Sequence, residues 1–332
     1  MNPPKLQDLD YIKLLLSSPS RVTNTEGSRV MAEIGKDVSH DAFRRLLQRQ
    51  VLDTEILWHE ARQFIEIDQG VLVVDDTTLD KPYAKENELA NYHWSGKHKQ
   101  VVFGINMITM LWTNGQSIVP CDLRFYDKQT NGNTKNDSFR EMLMSAYRRG
   151  ILPKFVLFDS WYSSLDNLKF IRSLNWNWLT RLKKNRMVNP NGTGAISLSE
   201  LDIPKDGITV YLRGYGNVRV MVEPRANGEQ IYWATNDLEM TVSKRKNLEQ
   251  LGWEIEVYHR GLKQYCHPEH CQARKANMQM AHILFSLRSF LRLEFAKRKW
   301  SMSWEQLKFS IIRPAVAAFF VTPSFQVDFS TA

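Results

Sequence analysis

Val71-Leu72-Val73-Val74-Asp75-Asp76-Thr77-Thr78 is the stretch from which the fold can be read. Four apolar, mostly β-branched residues run directly into two carboxylates. The pattern predicts a short strand, buried on both faces, that ends in acid. Carboxylates at the rim of a core are costly unless a positive charge meets them, and a hard divalent cation is the usual one. Downstream the design repeats: Phe155-Val156-Leu157-Phe158 is a second apolar run, and it stops at Asp159. Two strands ending in Asp point to one shared metal site assembled from distant parts of the chain.

Composition narrows the setting. At 332 residues the chain is long enough for two or three units, and 43% hydrophobic residues suffice for a core. No apolar run reaches the length of a membrane span, so no membrane partner is expected. The Met-Asn-Pro-Pro-Lys start lacks a signal peptide's apolar stretch, which predicts a protein kept in the cytoplasm. Three cysteines fit a reducing compartment rather than a disulfide framework. A net charge of +8 favours an acidic polymer as partner.

Upstream of Val71 the chain reads as helical. Glu26 to Ile34, a break at Gly35, and a second helix headed by Ser39 outline a helix-turn-helix, with Arg44 and Arg45 available to DNA. A plain helical pair with a solvated basic face has the same outline. Downstream, Asn91 to Lys99 interleaves Tyr92 and Trp94 with Lys97 and Lys99, a loop suited to a phosphate backbone or a stacked base. An ordinary surface loop is the competing account. Strands over Val101–Trp112 and Ser117–Phe125 flank an Asn114-Gly115 hairpin turn. Helix, strand, helix and strand follow to Leu182, ending in the basic cluster Arg181, Lys183, Lys184 and Arg186. This order predicts a mixed sheet with helices on its faces. Gly- and Asn-punctuated alternating segments from Met187 to about Met240 predict a β subdomain. Helix returns at Trp253, with Ile255, Tyr258 and Leu262 as a core stripe and Glu256, Arg260 and Lys263 on another face.

Phosphodiester chemistry needs neutralised phosphate charge, an activated oxygen nucleophile and a stabilised leaving oxygen, and two divalent ions held by a few carboxylates supply all three. Asp75 or Asp76, with Asp159, would give two ligands. Successive strand side chains alternate, so only one of the adjacent pair should face the metal. Glu256 is the favoured third acid because Arg260 and Lys263 share its face, and Glu254 competes.

In this order, strand-Asp-Asp-Thr-Thr, strand-Asp-Ser-Trp-Tyr, β insertion and Trp-x-Ile-Glu-x-Tyr-x-Arg-x-Leu-Lys-Gln, the chain resembles the bacterial insertion-sequence DDE transposases from about Val71 to Arg274. The resemblance implies an RNase H-like α/β core interrupted by a β subdomain. It puts the first Asp on Asp75 or Asp76, the second on Asp159, the Glu on Glu256 and the motif Lys on Lys263. Where the family often carries Tyr and Arg upstream of the Glu, this chain has Glu249 and Gly252. The expected organisation is a helical DNA-binding region over 1–66, core over 67–186, β insertion over 187–240, core with the Glu helix over 241–313 and a tail over 314–332.

The implied activity is cut-and-paste transposition with two Mg²⁺ ions, for which Mn²⁺ can substitute. The implied partners are double-stranded DNA, as terminal inverted repeats and target, and a second copy of the chain, since two ends must be paired. The setting would be the bacterial nucleoid. Some relatives close the cut end as a hairpin and flip a base onto a Trp, for which Trp94 and Trp161 are candidates, although packing is the commoner use of such rings. The alternatives are a domesticated DNA-binding regulator without catalysis, or a nuclease that cuts without joining. The run Cys266-His267-Pro268-Glu269-His270-Cys271 lacks the two separated ligand pairs of a zinc site and reads as a loop.

Overall fold

The structure, a computed structural model, describes residues 4–20, 23–51, 53–96, 98–126, 132–192 and 194–325. The chain packs as two units. One comprises Met1–Asp53, Tyr83–Leu89 and Arg260–Ala332, and the other Thr54–Pro82 and Ala90–His259. The expected boundaries at 66/67 and 313/314 are therefore not where packing divides the chain.

The first unit is helical: α1 (Asp8–Ser17), α2 (Asn24–Glu33), α3 (His40–Gln48) and, after the second unit's elements, the end of α7 (Val242–Cys266) followed by α8 (Ala276–Trp300) and α9 (Trp304–Val321). Leu6, Ile12, Leu15, Phe43, Leu46, Ala281 and Phe285 are among its buried cluster. Gly27 on α2 lies so close to α3 that an added Cβ would meet the Phe43 ring at 2.8 Å, so only glycine permits this approach. Gly35, at φ +75°, makes the turn between α2 and α3, and Ser39 precedes α3 as expected. Arg288 donates to Asp8 at 2.6 Å, and Tyr11 Oη lies 2.8 Å from His282 Nδ1.

The second unit opens with α4 (Thr54–Ala61) and is built on β1 (Val71–Asp80), β2 (Asn91–Ser95), β3 (Gln100–Thr113), β4 (Ile118–Tyr126), α5 (Lys135–Arg148), β5 (Val156–Phe158), α6 (Leu165–Ser173), β6 (Trp178–Leu182), β7 (Met187–Val188), β8 (Ile196–Ser197), β9 (Ile208–Leu212), β10 (Gly216–Pro224), β11 (Gln230–Thr235) and most of α7 (Val242–Cys266). Among the described residues nine strands form one sheet in the order β2-β3-β1-β5-β6-β11-β10-β9, with β4 also on β3. β1, β5 and β6 are parallel, and the rest are antiparallel to their neighbours. The strands of the β insertion do not all stand apart: β11 pairs with β6 and carries β10 and β9 onward in the same sheet, while β7 and β8 form a separate ribbon.

Local chemistry sets the helix starts. Thr134 and Asp137 form a capping box for α5, which buries Phe139, Met142, Leu143 and Ala146 at helical spacing. Ser164 caps α6 through Asn167 N–H. α7 begins at Val242, eleven residues before the Trp253 start expected from periodicity, and the last helices are α8 (Ala276–Trp300) and α9 (Trp304–Val321). α9 runs straight through Pro314, where a tail was expected. The proline deletes one backbone donor, but this stretch is exposed, so water can meet the freed carbonyl and the helix continues.

Candidate active site

Strand register brings the distant acids together. Val74 of β1 aligns with Phe158 of β5, and Phe158 with Thr180 of β6. One residue further along each parallel strand stand Asp75, Asp159 and Arg181. Aligned residues of parallel strands point to the same face, so these three share a row, which lies at the carboxyl ends of β5 and β6. β1 does not stop at the acids as its sequence suggested but runs on to Asp80, held by its pairing with β3. On the other side of β1, Asp75 aligns with Thr109 of β3. Thr109 Oγ1 lies 2.8 Å from His259 Nε2, a buried bond that fixes α7 to the sheet three residues past Glu256.

The result is one cavity of about 160 Å³ lined by Asp75, Asp159 and Glu256 together with Arg181, Trp233, Glu249 and Trp253. Asp76 is absent from that lining. It accepts hydrogen bonds from Lys135 at 2.7 Å, Asn106 at 2.8 Å and Tyr162 Oη at 3.1 Å. The open choice between the two adjacent acids thus has a structural answer in terms of facing: Asp75 looks into the cavity, and Asp76 is engaged elsewhere.

Electrostatics separates the two in the same way. Burial, reinforced by the like charges of Asp76, Asp159 and Glu256, pushes the Asp75 carboxyl well above the usual range. Burial would raise Asp76 too, but Lys135 and the hydrogen bonds from Asn106 and Tyr162 carry it below. Asp159 is raised by burial, which the bond from Trp161 N–H at 2.8 Å partly offsets.

The donor set suits a hard divalent cation: carboxylate oxygens only, facing a common space, with one carboxyl destabilised in its charged form by its neighbours. Among the described residues, however, no three His, Cys, Asp or Glu side chains form a ready-made metal shell.

The cavity has a cationic and aromatic wall that the sequence reading did not select. Arg181 lies over the Trp233 ring at 4.8 Å and 3.9 Å from Glu249. Arg245, buried, lies over the same ring at 5.1 Å and donates to Glu223 at 2.9 Å and Glu249 at 2.7 Å. Glu249, standing where the family often has Tyr, therefore ties two arginines. Trp253 is exposed. Arg181 could have been found by counting the parallel register from Asp159, but Lys135 carries no sequence signal of its partnership.

The other expected DNA-contacting residues are dispersed. Arg44 and Arg45 lie on the exposed side of α3, and Lys183 and Lys184 are exposed just past β6. Trp94 on β2 and Trp161 in the turn after Asp159 are both exposed rather than packed in the core. Lys99 is exposed at φ +50°, and Lys97 lies outside the described residues. Arg260 and Lys263 of α7 belong to the helical unit, where Lys263 pairs with Glu269 at 3.2 Å.

Comparison with known proteins bears on the family and the fold. The family model "Transposase DDE domain" matches residues 66–291. Among solved structures, the piggyBac transposase in its synaptic complex with hairpin DNA superposes at a TM-score of 0.53 with 10% identity, covering 98% of this chain and 74% of that one. The Mos1 strand transfer complex matches at a TM-score of 0.21 and 15% identity, covering 54% of this chain and 58% of that one, too distant to bear on the fold. No curated protein matches in sequence. The family match spans well over half of the chain, and with the mixed, helix-flanked, RNase H-like sheet it makes this protein a member of the DDE transposase family.

Proposed function

We propose that this chain cuts double-stranded DNA at the ends of a mobile element and joins those ends to target DNA, with Asp75, Asp159 and Glu256 as the catalytic acids. The observation that carries the proposal is the convergence of these three residues, from the middle of β1, the end of β5 and one helix, on a single cavity beside Arg181. DDE transposases use divalent metal ions, and here the preferred pair is Mg²⁺, with Mn²⁺ as a substitute. Bound at the three carboxylates, the ions would activate the attacking oxygen and stabilise the leaving one.

The protein's own groups divide the remaining work. Asp75, Asp159 and Glu256 hold the ions. Arg181, fixed over Trp233 and beside Glu249, meets a phosphate of the scissile strand. Asp76 acts indirectly: its bonds to Lys135, Asn106 and Tyr162 fix the middle of β1, so that Asp75 stays turned to the cavity. Arg260 and Lys263 contact flanking phosphates, as do Lys183, Lys184, Lys97 and Lys99, while Arg44 and Arg45 of α3 enter a groove of the end sequence. Trp161, exposed one turn from Asp159, is placed to stack on a displaced base.

A second copy of the chain would pair the second DNA end, and the protein would work on the nucleoid in the cytoplasm. Among the described residues no helix is long and apolar enough to cross a membrane. The test is incubation of purified protein with DNA carrying the element's terminal repeats in Mg²⁺, followed by sequencing of the products. Cut ends joined to new DNA support the proposal. Cut ends without joining would reduce it to a nuclease, and binding without nicking in Mg²⁺ or Mn²⁺ would reduce it to a DNA-binding regulator.

A further inference from the structure

The hairpin of β2 and β3 presents an aromatic surface that the cavity does not use. Tyr92 and Trp94 sit two residues apart on β2, so both side chains point to the same face. They are 72% and 68% exposed. Across the ladder they align with Phe103 and Val101 of β3, and the Tyr92 and Phe103 rings are 5.2 Å apart. Val101 is exposed as well. The opposite face of β2 points inward, with the His93 ring 6.3 Å from Tyr126.

This hairpin projects beyond the body of the sheet. The β1–β3 ladder ends at the pair Asp80–Gly104, and the β3–β4 ladder ends at Asn106–Tyr126. β2 is an edge strand. Large exposed aromatic rings on a protruding edge invite unwanted pairing, and proteins keep them where they bind something.

Charge and spacing select the ligand. The turn that closes the hairpin includes Gly96, His98 and Lys99. His98 is held 3.0 Å from Asp80, and Lys99 is exposed. Two same-face residues on a strand are about 7 Å apart, close to twice the ~3.4 Å stacking distance of nucleic-acid bases, so a base can lie between the rings. Every base has a π-face, so such a site takes unpaired bases with little regard to sequence, while the basic turn meets the phosphates.

We infer that the β2–β3 hairpin is a binding platform for unpaired bases of single-stranded DNA, with Tyr92 and Trp94 as its stacking rings and Lys99 at its phosphate edge. The inference deepens the transposase reading: strands opened at a cut need a holder outside the metal cavity. It makes Tyr92 a binding residue and gives Trp94 a role distinct from that of Trp161.

The test is done without divalent ions, so that it does not depend on catalysis. The full chain, in EDTA, is titrated with an oligothymidine about twelve nucleotides long carrying one 2-aminopurine, and separately with a duplex of the same length. The expected result is tight single-strand binding with a stacking change in 2-aminopurine fluorescence. Affinity should fall about tenfold in Trp94→Ala and about a hundredfold in Tyr92→Ala/Trp94→Ala, with duplex binding changed less than about twofold. Trp94→Phe retains most of the affinity, and melting temperatures stay unchanged because both rings are exposed. Single-strand affinity unaffected by the double substitution overturns the inference, as does an equal loss for single strand and duplex. A change in oligomeric state with DNA binding intact also overturns it and assigns the face to a second copy of the chain. Should the parent fail to bind the single strand yet cut element ends in Mg²⁺, the platform is refuted and the transposase reading stands.

Discussion

Asp75 and Asp122 are both strand acids of the same unit, and both are withdrawn from water, but their neighbourhoods are opposite. Asp122 of β4 is fully buried and brings its own cations: Arg124 donates to one oxygen, and Arg149 lies 3.5 Å from the other. Arg149 is itself held by Glu55 at 2.6 Å and by the Cys121 carbonyl at 3.0 Å, which locks α4 and α5 onto the sheet. Burial raises Asp122, and the two arginines pull it back. Asp75 has burial and three further carboxylates acting on it. An acid whose counter-charges are built in serves the fold, whereas an acid surrounded by acids waits for a cation from outside.

The contrast is broken or sharpened by substitution. Asp75→Asn should cost about 10³-fold or more in cleavage if the proposed metal role holds, while the melting temperature holds or rises as like-charge repulsion is lost. Asp76→Asn should retain measurable cutting, within about a hundredfold of the parent. Equal loss in both would erase the distinction between them. Asp122→Asn should do the reverse of Asp75→Asn, destabilising the unit by about 1–3 kcal/mol in urea unfolding, because it removes the buried carboxylate that Arg124 and Arg149 share and leaves them only Glu141 and Glu55. Its nicking rate per folded molecule should be unchanged.

Metal addition gives a smaller effect of the same origin. Mn²⁺ or Mg²⁺ at a hundredfold excess over its dissociation constant should stabilise the parent by about 2.7 kcal/mol, and Asp75→Asn should lose that increment. A shift that persists in Asp75→Asn would place the ion elsewhere.

The smallest effect tests the rule on a buried base. Burial, helped by the nearby Lys308, lowers His267 from 6.5 to about 4, and its Nε2–H donates to the Ser18 carbonyl at 3.1 Å. The imidazole is neutral in the fold, so between these values the unfolded chain binds the extra proton. Its contribution is therefore complete above pH 6.5 and is lost as the pH falls towards 4, by up to about 2 kcal/mol after allowance for solvent screening. His267→Asn, which tolerates the local φ of +58°, should flatten that slope in pH-dependent unfolding.

Much of this arrangement was legible in sequence, for reasons that also set the limit. β1 and β5 were readable because apolar runs ending in acid have few other uses, and Glu256 because its helix has a clear stripe. The choice between Asp75 and Asp76 was not, since alternation says that the two differ but not which faces α7; the β1–β5–β6 register supplies that. Arg181 was hidden among four basic residues for want of the same register. The buried role of Asp122 was not legible at all, because its cations come from Arg124 on its own strand and from Arg149, far along the chain. The early start of α7 was masked by solvated Lys, Asn and Glu in its first turns, and the continuation of α9 by Pro314.

The account rests on Glu256 reaching the same ions as the two strand acids. The most direct test is nicking of DNA carrying the element's terminal repeat, in Mg²⁺, by Glu256→Gln beside the parent. The account predicts a loss of about 10³-fold or more with the melting temperature unchanged, because Glu256 is exposed and holds no part of the core. Cutting at the parent's rate would contradict it.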